Sequence, residues 1–227
     1  SECPGARFPG PDQTLTTATG LHPTMKQSTT GRWPAALLAA ALLAGASAAM
    51  ALNPEALDLF DRGARKAKSG DHRGAVEDFT KALKLEPNDA EAYHHRGLSR
   101  EKIGDAKGAI EDFTSALGLT PQMDEALYHR GLNKRKLGDL PGAIADFTQA
   151  LAANPQRADW YYDRGLAKWM AGDAKGASDD FSRALGLNPK LAGAYYLRGA
   201  ARKKLGDAPG AQNDAAQASA LSPDFAD

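Results

Sequence analysis

The sequence predicts an all-α solenoid of five helix–turn–helix units, each 34 residues long, within residues 52–227 of the 227-residue chain. A glycine recurs every 34 residues, a Gly–Asp pair follows each one seven residues later, and a proline closes each unit. A fixed period of this length is typical of stacked repeats, in which each unit buries its apolar face against its neighbours. We number positions 1 to 34 within the units, which span residues 56–89, 90–123, 124–157, 158–191 and 192–225. The recurring glycine, at position 8, is Gly63, Gly97, Gly131, Gly165 and Gly199.

The third unit shows why each repeat is expected to contain two helices. A first helix over residues 124–137 should end at Gly138, because glycine tolerates the left-handed conformation that ends many helices. The next residue, Asp139, is suited to cap the N-terminus of a second helix over residues 140–151. A single hairpin of this kind cannot bury its apolar face, so the units must stack.

Two positions indicate how the helices of a unit pack. The glycine at position 8, such as Gly131, predicts that a neighbouring helix approaches closely. The phenylalanine at position 24, such as Phe147, is the largest apolar residue of the second helix. In the fifth unit Ala215 takes its place, so we expect that unit to be the least stable.

A basic and an acidic series predict ion pairs within each unit. Arginine stands at position 7, lysine or arginine at position 11 and aspartate at position 23, as in Arg130, Lys134 and Asp146. Residues four apart on a helix share a face, so both cations can meet one carboxylate of the second helix. The chain has 28 basic and 28 acidic residues, and this balance argues against a nucleic-acid partner, which usually requires excess positive charge.

The segment before the repeats predicts export. Residues 1–24 are expected to be disordered or an extension upstream of the true start. From Met25, residues 25–51 resemble a secretory signal peptide, with Lys26 and Arg32 before an alanine-rich apolar stretch and small residues at a cleavage site. The predicted location is therefore periplasmic or secreted. The alternative is an uncleaved membrane anchor, although the apolar stretch is short for a spanning helix.

In its repeat the chain resembles the tetratricopeptide repeat family, whose 34-residue unit carries a Gly…Ala…Phe…Ala…Pro signature. The resemblance covers all five units and implies a right-handed superhelix. The chain departs from the family pattern at Arg130 and its equivalents, where an apolar residue is usual, and at Lys134 and its equivalents, where tyrosine is favoured. The resemblance also implies that positions 2, 5, 9, 12 and 13 of the first helices line a concave groove.

Two series of side chains would then follow the groove. Position 5 is mostly aromatic, and position 13 is lysine except at Met170, which lies beside Trp169. Tyrosine supplies contact area with a polar group, and lysine supplies long-range attraction, so the groove would suit an extended peptide of acidic or aromatic character. The alternative is that the aromatic residues pack between adjacent first helices and the lysines form a solvated rim. The predicted peptide-binding residues are Phe60, His94, Lys102, Tyr128, Arg135, Lys136, Tyr162, Leu166, Trp169, Tyr196 and Lys203.

The histidines raise the question of a metal site. His95 and His129 occupy equivalent places in adjacent units, about 10 Å apart by ordinary helix spacing, and no acidic or cysteine ligand joins them or His94 at motif spacing. We therefore predict no metal and no cofactor. Because the sequence also lacks a nucleophile motif and a glycine-rich phosphate loop, we predict that the protein is not an enzyme.

The predicted function is that of an exported, non-enzymatic scaffold or adaptor that binds a protein or an extended peptide in its groove. One alternative is an envelope subunit associated with polysaccharide, since aromatic side chains in a groove also stack on sugars. Another is a self-assembling structural protein that associates through the ends of the solenoid. The sequence does not define an oligomeric state.

Overall fold

The computed structural model describes residues 53–225, which form ten α-helices and a final 3-10 helix. The predicted N-terminal segments, residues 1–24 and 25–51, lie outside this range. The first helices of the units are α1 (Pro54–Lys68), α3 (Ala90–Lys102), α5 (Asp124–Lys136), α7 (Ala158–Met170) and α9 (Ala192–Lys204). The second helices are α2 (His72–Leu85), α4 (Ala106–Leu119), α6 (Leu140–Ala153), α8 (Ala174–Leu187) and α10 (Ala208–Leu221), followed by the 3-10 helix Pro223–Phe225.

The turn inside each unit is built by the predicted Gly–Asp pair. Gly138 adopts a φ of 86°, the left-handed region, and the Asp139 carboxylate accepts a hydrogen bond from the Gly142 N–H at 3.0 Å. The same arrangement occurs in all five units. The first helix of the third unit ends one residue earlier than predicted, and its second helix continues two residues further, to Ala153.

The close approach predicted at the recurring glycine is confirmed, and the approaching group is an aromatic ring. A Cβ atom on Gly131 would lie 2.8 Å from the Phe147 ring, which is fully buried. Phe79, Phe113 and Phe181 occupy the same place in their units. The glycine therefore exists to admit a phenylalanine between the two helices of its own unit.

The predicted ion pairs are also confirmed. Arg130 donates two hydrogen bonds to the Asp146 carboxylate, from Nε at 2.9 Å and from Nη2 at 2.8 Å. Lys134 Nζ lies 2.8 Å from the same carboxylate. Equivalent triplets occur in every unit. Because the aspartate is almost fully buried, two cationic partners and a bidentate geometry are needed to offset its desolvation.

The same arginine also joins consecutive units, which the sequence analysis did not anticipate. Arg130 Nη1 donates to the Thr114 hydroxyl of the preceding unit at 3.3 Å. Position 25 supplies this acceptor at each of the four junctions: Thr80, Thr114, Thr148 and Ser182. In the fifth unit, after which the structure describes no further repeat, the residue is Ala216.

The units stack so that each first helix packs between its own second helix and the second helix of the preceding unit. Consecutive first helices also contact each other directly. Among residues 53–225, consecutive second helices have no comparable contact, so the first helices form the inner side of the stack. This arrangement confirms the predicted all-α solenoid. Within the same range, no helix combines the length and apolar character needed to cross a membrane.

Candidate functional site

The candidate site is the first-helix wall, which we define as positions 2, 5, 9, 12 and 13 of the five first helices. Position 13 is exposed in every unit, and its lysines are free of the core. Positions 5 and 9 are mostly half-buried, because they face the gap between consecutive first helices. The wall therefore has an apolar floor and a charged rim.

The position-5 aromatic residues pack on the phenylalanine of their own unit. Phe60, His94, Tyr128 and Tyr162 lie with ring centroids 5.5–5.8 Å from Phe79, Phe113, Phe147 and Phe181, respectively. Tyr196 differs, because the fifth unit has Ala215 in place of the position-24 phenylalanine; Tyr196 is 50% exposed, and its ring centroid lies 5.1 Å from that of Phe225. Four of the five position-5 residues are therefore packing residues, as the alternative interpretation predicted. Among the five, only Tyr196 presents an open aromatic surface.

The junction between the second and third units is polar. The Glu101 carboxylate accepts a hydrogen bond from the Asn133 amide at 2.7 Å and lies 3.1 Å from His129 Nδ1. Burial acts to raise the pKa of Glu101, but its bonds to His129 and Asn133 outweigh burial and leave that pKa below its usual value. Glu101 is therefore ionised and partly buried, and it links the second and third units at the wall.

At the junction between the third and fourth units, the acidic residue lies on the later unit and its hydrogen-bond donors lie on the earlier one. Asp163, on the fourth unit, accepts hydrogen bonds from Tyr128 Oη at 2.7 Å and from Arg135 Nη2 at 3.0 Å. Burial raises the pKa of Asp163, with the two donors opposing it, and burial together with the Asp163 charge raises the pKa of Tyr128. Tyr128 also stacks on Trp160, with centroids 5.0 Å apart. Two predicted binding residues, Tyr128 and Arg135, thus hold two units together.

The junction between the fourth and fifth units is apolar. Trp169 is half-buried and packs with Tyr162 and Leu197 against the core cluster around Phe181, and Lys204 Nζ lies 5.5 Å from its ring centroid. Trp169 therefore packs against its neighbours and does not stand open on the wall. Its indole fills the place that Glu101 and Arg135 take at the preceding junctions.

A cleft of about 550 Å³ opens on the wall between the second and fourth units. Its lining joins two apolar residues to one acidic, one amide and two basic side chains. The lining residues are Glu101, Leu132, Asn133, Arg135, Lys136 and Met170. Five of these six are wall positions, so the cleft is a feature of the wall itself. Leu132 forms its half-buried floor, and exposed Lys136 and Met170 stand at its edge.

The remaining predicted residues divide by exposure. Lys102 and Lys203 are exposed, and Leu166 is half-buried at position 9. The structure thus brings Arg135 and Lys136 to one cleft, with Lys102 further along the rim, while Phe60 and Tyr196 lie in the first and last units.

Two residues of this region escaped the sequence analysis. Trp160 is fully buried and packs beneath Arg157, whose Cζ is 4.4 Å from the ring centroid. Its place in the repeat could have revealed it, because position 3 is a small alanine in the second, third and fifth units and such a position is expected to be buried. The second residue is Glu91, whose carboxylate lies with one ring nitrogen each of His94 and His95 inside a 4.8 Å cluster. The sequence analysis did not count this carboxylate, which lies three and four residues before the two histidines.

Family models described as "Tetratricopeptide repeat" match residues 128–192 and 90–123, and one described as "TPR repeat" matches residues 63–104. No curated protein sequence gives a significant match.

Several solved structures share the fold. A crystal structure of MamA is 27% identical, with a TM-score of 0.71, over 76% of this chain and 94% of that one. MamA 41-end from Desulfovibrio magneticus RS-1 is 21% identical, with a TM-score of 0.72, over 78% of this chain and 100% of that one. YrrB, described as a TPR protein with an unusual peptide-binding site, is 21% identical, with a TM-score of 0.70, over 76% of this chain and 89% of that one. The repeated hairpins, their glycine-to-phenylalanine packing and these matches together show that the chain belongs to the tetratricopeptide repeat family.

Proposed function

We propose that this protein is a non-enzymatic scaffold that binds an extended segment of a partner protein along the first-helix wall. The cleft between the second and fourth units carries the proposal. It offers an apolar floor at Leu132, a hydrogen-bonded polar pair at Glu101 and Asn133, and a cationic edge at Lys136. An extended peptide can place alternate side chains on such a floor and edge.

The charge of the rim indicates the character of the segment. Lys102 and Lys136 are exposed at the same position of consecutive units, and Lys136 lines the cleft. Lysines spaced along a groove attract acidic groups and chiefly raise the rate of association. A segment with acidic residues flanking an apolar side chain would therefore complement the wall. The description of YrrB as peptide-binding supports the use of this fold for such ligands.

Binding to synthetic peptides tests the proposal directly. An immobilised library of extended acidic peptides, each paired with its neutral amide counterpart, is probed with the purified chain. We expect the acidic members to be retained, and the Lys102→Glu, Lys136→Glu double variant to lose most of that retention at low salt. The matched control is Lys107→Glu with Lys175→Glu, which reverses two exposed charges on second helices.

The apolar part of the cleft needs its own variant. Met170→Glu should weaken retention, because Met170 is 53% exposed and borders the cleft. Leu205→Glu is the control, since Leu205 is 52% exposed but lies off the wall. These exposed residues are better probes than Tyr162 or Trp169, whose truncation would also remove core contacts. If the Lys102→Glu, Lys136→Glu variant and the Lys107→Glu, Lys175→Glu control retained acidic peptides equally, the wall would be excluded as the binding surface.

The alternatives make different predictions in the same experiments. Retention on immobilised polysaccharide, without retention of peptides, would favour the envelope polysaccharide role. A mass that rises with protein concentration would favour self-assembly through the ends.

Export is a separate part of the proposal, supported by the signal-like composition of residues 25–51. N-terminal sequencing of the protein from its native host should give a start near Ala49 or Leu52. A product that begins at Met25 and stays with the membrane would replace secretion with anchoring.

A further inference from the structure

Glu91, His94 and His95 form a compact cluster near the start of α3. Each offers one ligand atom, and all three atoms lie within 4.8 Å of one another. The spacing explains the geometry, because residues three and four apart on a helix lie on the same face. Glu91 and His94 occupy positions 2 and 5 of the first-helix wall in the second unit, and His95, at position 6, lies next to it.

The three side chains remain available to a ligand. His95 Nε2 is 4.0 Å from the Glu91 carboxylate, and the two side chains are 40% and 64% exposed. The preceding unit has Ala67 at position 12, so it offers His95 no counterpart of the Glu101 carboxylate that holds His129. Within the part of the chain that the structure describes, His94 Nε2 is buried without a hydrogen-bond partner.

The His94 ring is held by packing. It lies 5.8 Å from the Phe113 ring centroid and 5.5 Å from that of His95. This packing fixes the position of the ring that offers one of the three ligand atoms.

We propose that Glu91, His94 and His95 bind a divalent transition-metal ion of the Zn²⁺ class. Two imidazole nitrogens and one carboxylate oxygen are ligands that zinc accepts, whereas Mg²⁺ and Ca²⁺ prefer all-oxygen sites. Ligand bonds of about 2.0–2.1 Å place tetrahedral ligands roughly 3.3 Å apart. The exposed Glu91 side chain can rotate to supply much of this contraction, while His95 is held beside the Phe60 and Phe79 rings, at centroid distances of 5.4 and 5.9 Å. The open coordination position would face the solvent along the wall.

The third unit provides an internal comparison. Glu125, Tyr128 and His129 occupy the same three positions, and His129 Nε2 lies 3.9 Å from the Glu125 carboxylate, much as in the second unit. Tyrosine replaces the second imidazole there, and Glu101 already binds the histidine. The third unit therefore has the same backbone frame without the ligand set.

Calorimetric titration of the chelator-stripped full chain with ZnCl₂ at neutral pH tests the site. We expect one ion per chain at this cluster, with no comparable heat from MgCl₂. His94→Tyr, which copies the third unit, and His95→Ala should each weaken that binding by at least about tenfold. Glu91→Gln should weaken it less and, being at an exposed residue, should leave the circular dichroism spectrum unchanged.

The control is His129→Ala, which removes a histidine one unit away and should leave zinc affinity within about twofold of wild type. Cys3 and His22 of the N-terminal segment are also residue types that bind zinc, so binding alone does not locate the ion. The loss of binding in the cluster variants is what assigns it to Glu91, His94 and His95. Equal zinc affinity in the wild type, His95→Ala and Glu91→Gln would overturn the proposal, as would heats for zinc no greater than those for magnesium.

Discussion

The third and fifth units form the same hairpin but differ at the two positions that face a following unit. Phe147 and Thr148 of the third unit contact the fourth, through Ala167 and Arg164. The fifth unit has alanine at both positions. Within residues 53–225, no later repeat is described that would cover the outer face of a phenylalanine at Ala215 or supply an arginine to a hydroxyl at Ala216.

The fifth unit nevertheless keeps the contacts that close its own hairpin. Asp214 is fully buried and binds Arg198 Nη2 at 2.6 Å and Arg202 Nη1 at 2.9 Å. Its Gly–Asp turn is intact, with a φ of 86° at Gly206. The buried ion pair and the Gly–Asp turn are thus kept in all five units, whereas the position-24 ring, which packs within its own unit and against the next one, is absent from the fifth.

The largest effect should come from the coupling phenylalanine. Phe147→Ala should lower the free energy of unfolding by about 3–5 kcal/mol, because it leaves a cavity between two units and removes a fully buried ring. Urea unfolding monitored by circular dichroism measures the change. An unchanged midpoint would contradict the assignment of Phe147 to the core.

Its counterpart is Ala215→Phe in the last unit. One face of the new ring would pack on Gly199 and the other would meet solvent, so we expect a change of less than about 1 kcal/mol. Hydrogen exchange of the wild type should show α10 opening before α6, since Asp214 and Ala218 are its only buried residues within the described chain. Slower exchange in α10 than in α6 would refute the comparison.

The recurring glycine gives the second contrast. Gly131→Ala should destabilise by about 1–3 kcal/mol, because the new Cβ would lie 2.8 Å from the Phe147 ring. Gly199→Ala meets no ring; its nearest neighbour, the Ala211 carbonyl, is at 3.3 Å, and the helix propensity of alanine offsets the contact. Its effect should stay within about 1 kcal/mol. Equal losses in thermal melts of the two variants would mean that glycine is needed for another reason.

The hairpin could be predicted from the sequence because its residues are the same in every unit. Gly138, Asp139 and the Arg130–Asp146 pair each recur with one chemistry, so a 34-residue period reveals them and ordinary helix rules assign their roles. The threonine series was also present in the sequence, but a hydroxyl at an exposed helix position has many explanations until its arginine partner is located.

The wall was less predictable because its junctions change chemistry from unit to unit. Position 12 is Glu101, Arg135 and Trp169 at three successive junctions, and each is matched only by residues of the next unit. A period search registers such positions as variable. Comparison by repeat also directed attention to His95 with His129, whereas the structure groups the ligand atoms of His95 with those of Glu91 and His94 on its own helix.

The third contrast concerns the ion pairs that both ends of the array retain. The hydrogen bond from Arg62, and next that from Lys66, hold the pKa of Asp78 well below its usual value against the effect of burial. The stability contributed by this carboxylate is thus fully present above the unfolded-state pKa of about 4 and is lost as the pH falls towards the folded-state value. Because the Arg62 side chain is 43% exposed, solvent screening reduces the effect.

Urea unfolding as a function of pH tests this point. The stability difference between wild type and Asp78→Asn should be largest near neutral pH and should shrink below about pH 4. Asp61→Asn, at an exposed position of α1 in the same unit, controls for the loss of one negative charge. A difference independent of pH would show that Asp78 contributes by packing alone.

The smallest effect should come from the hydroxyl that couples units. Thr114→Val keeps the shape of the side chain but removes the acceptor for Arg130 Nη1 at 3.3 Å, leaving the Arg130–Asp146 pair in place. Since this hydrogen bond is solvent-exposed, we expect a loss of about 0.5–1 kcal/mol, with faster exchange at the junction of the second and third units. Ala216→Thr is the matched control, because no following arginine is described there and a new hydroxyl should add no stability. If Ala216→Thr stabilises the chain as much as Thr114→Val destabilises it, the hydroxyl acts on its own helix, through the i−4 carbonyl that Thr114 also contacts at 2.7 Å, and not between units.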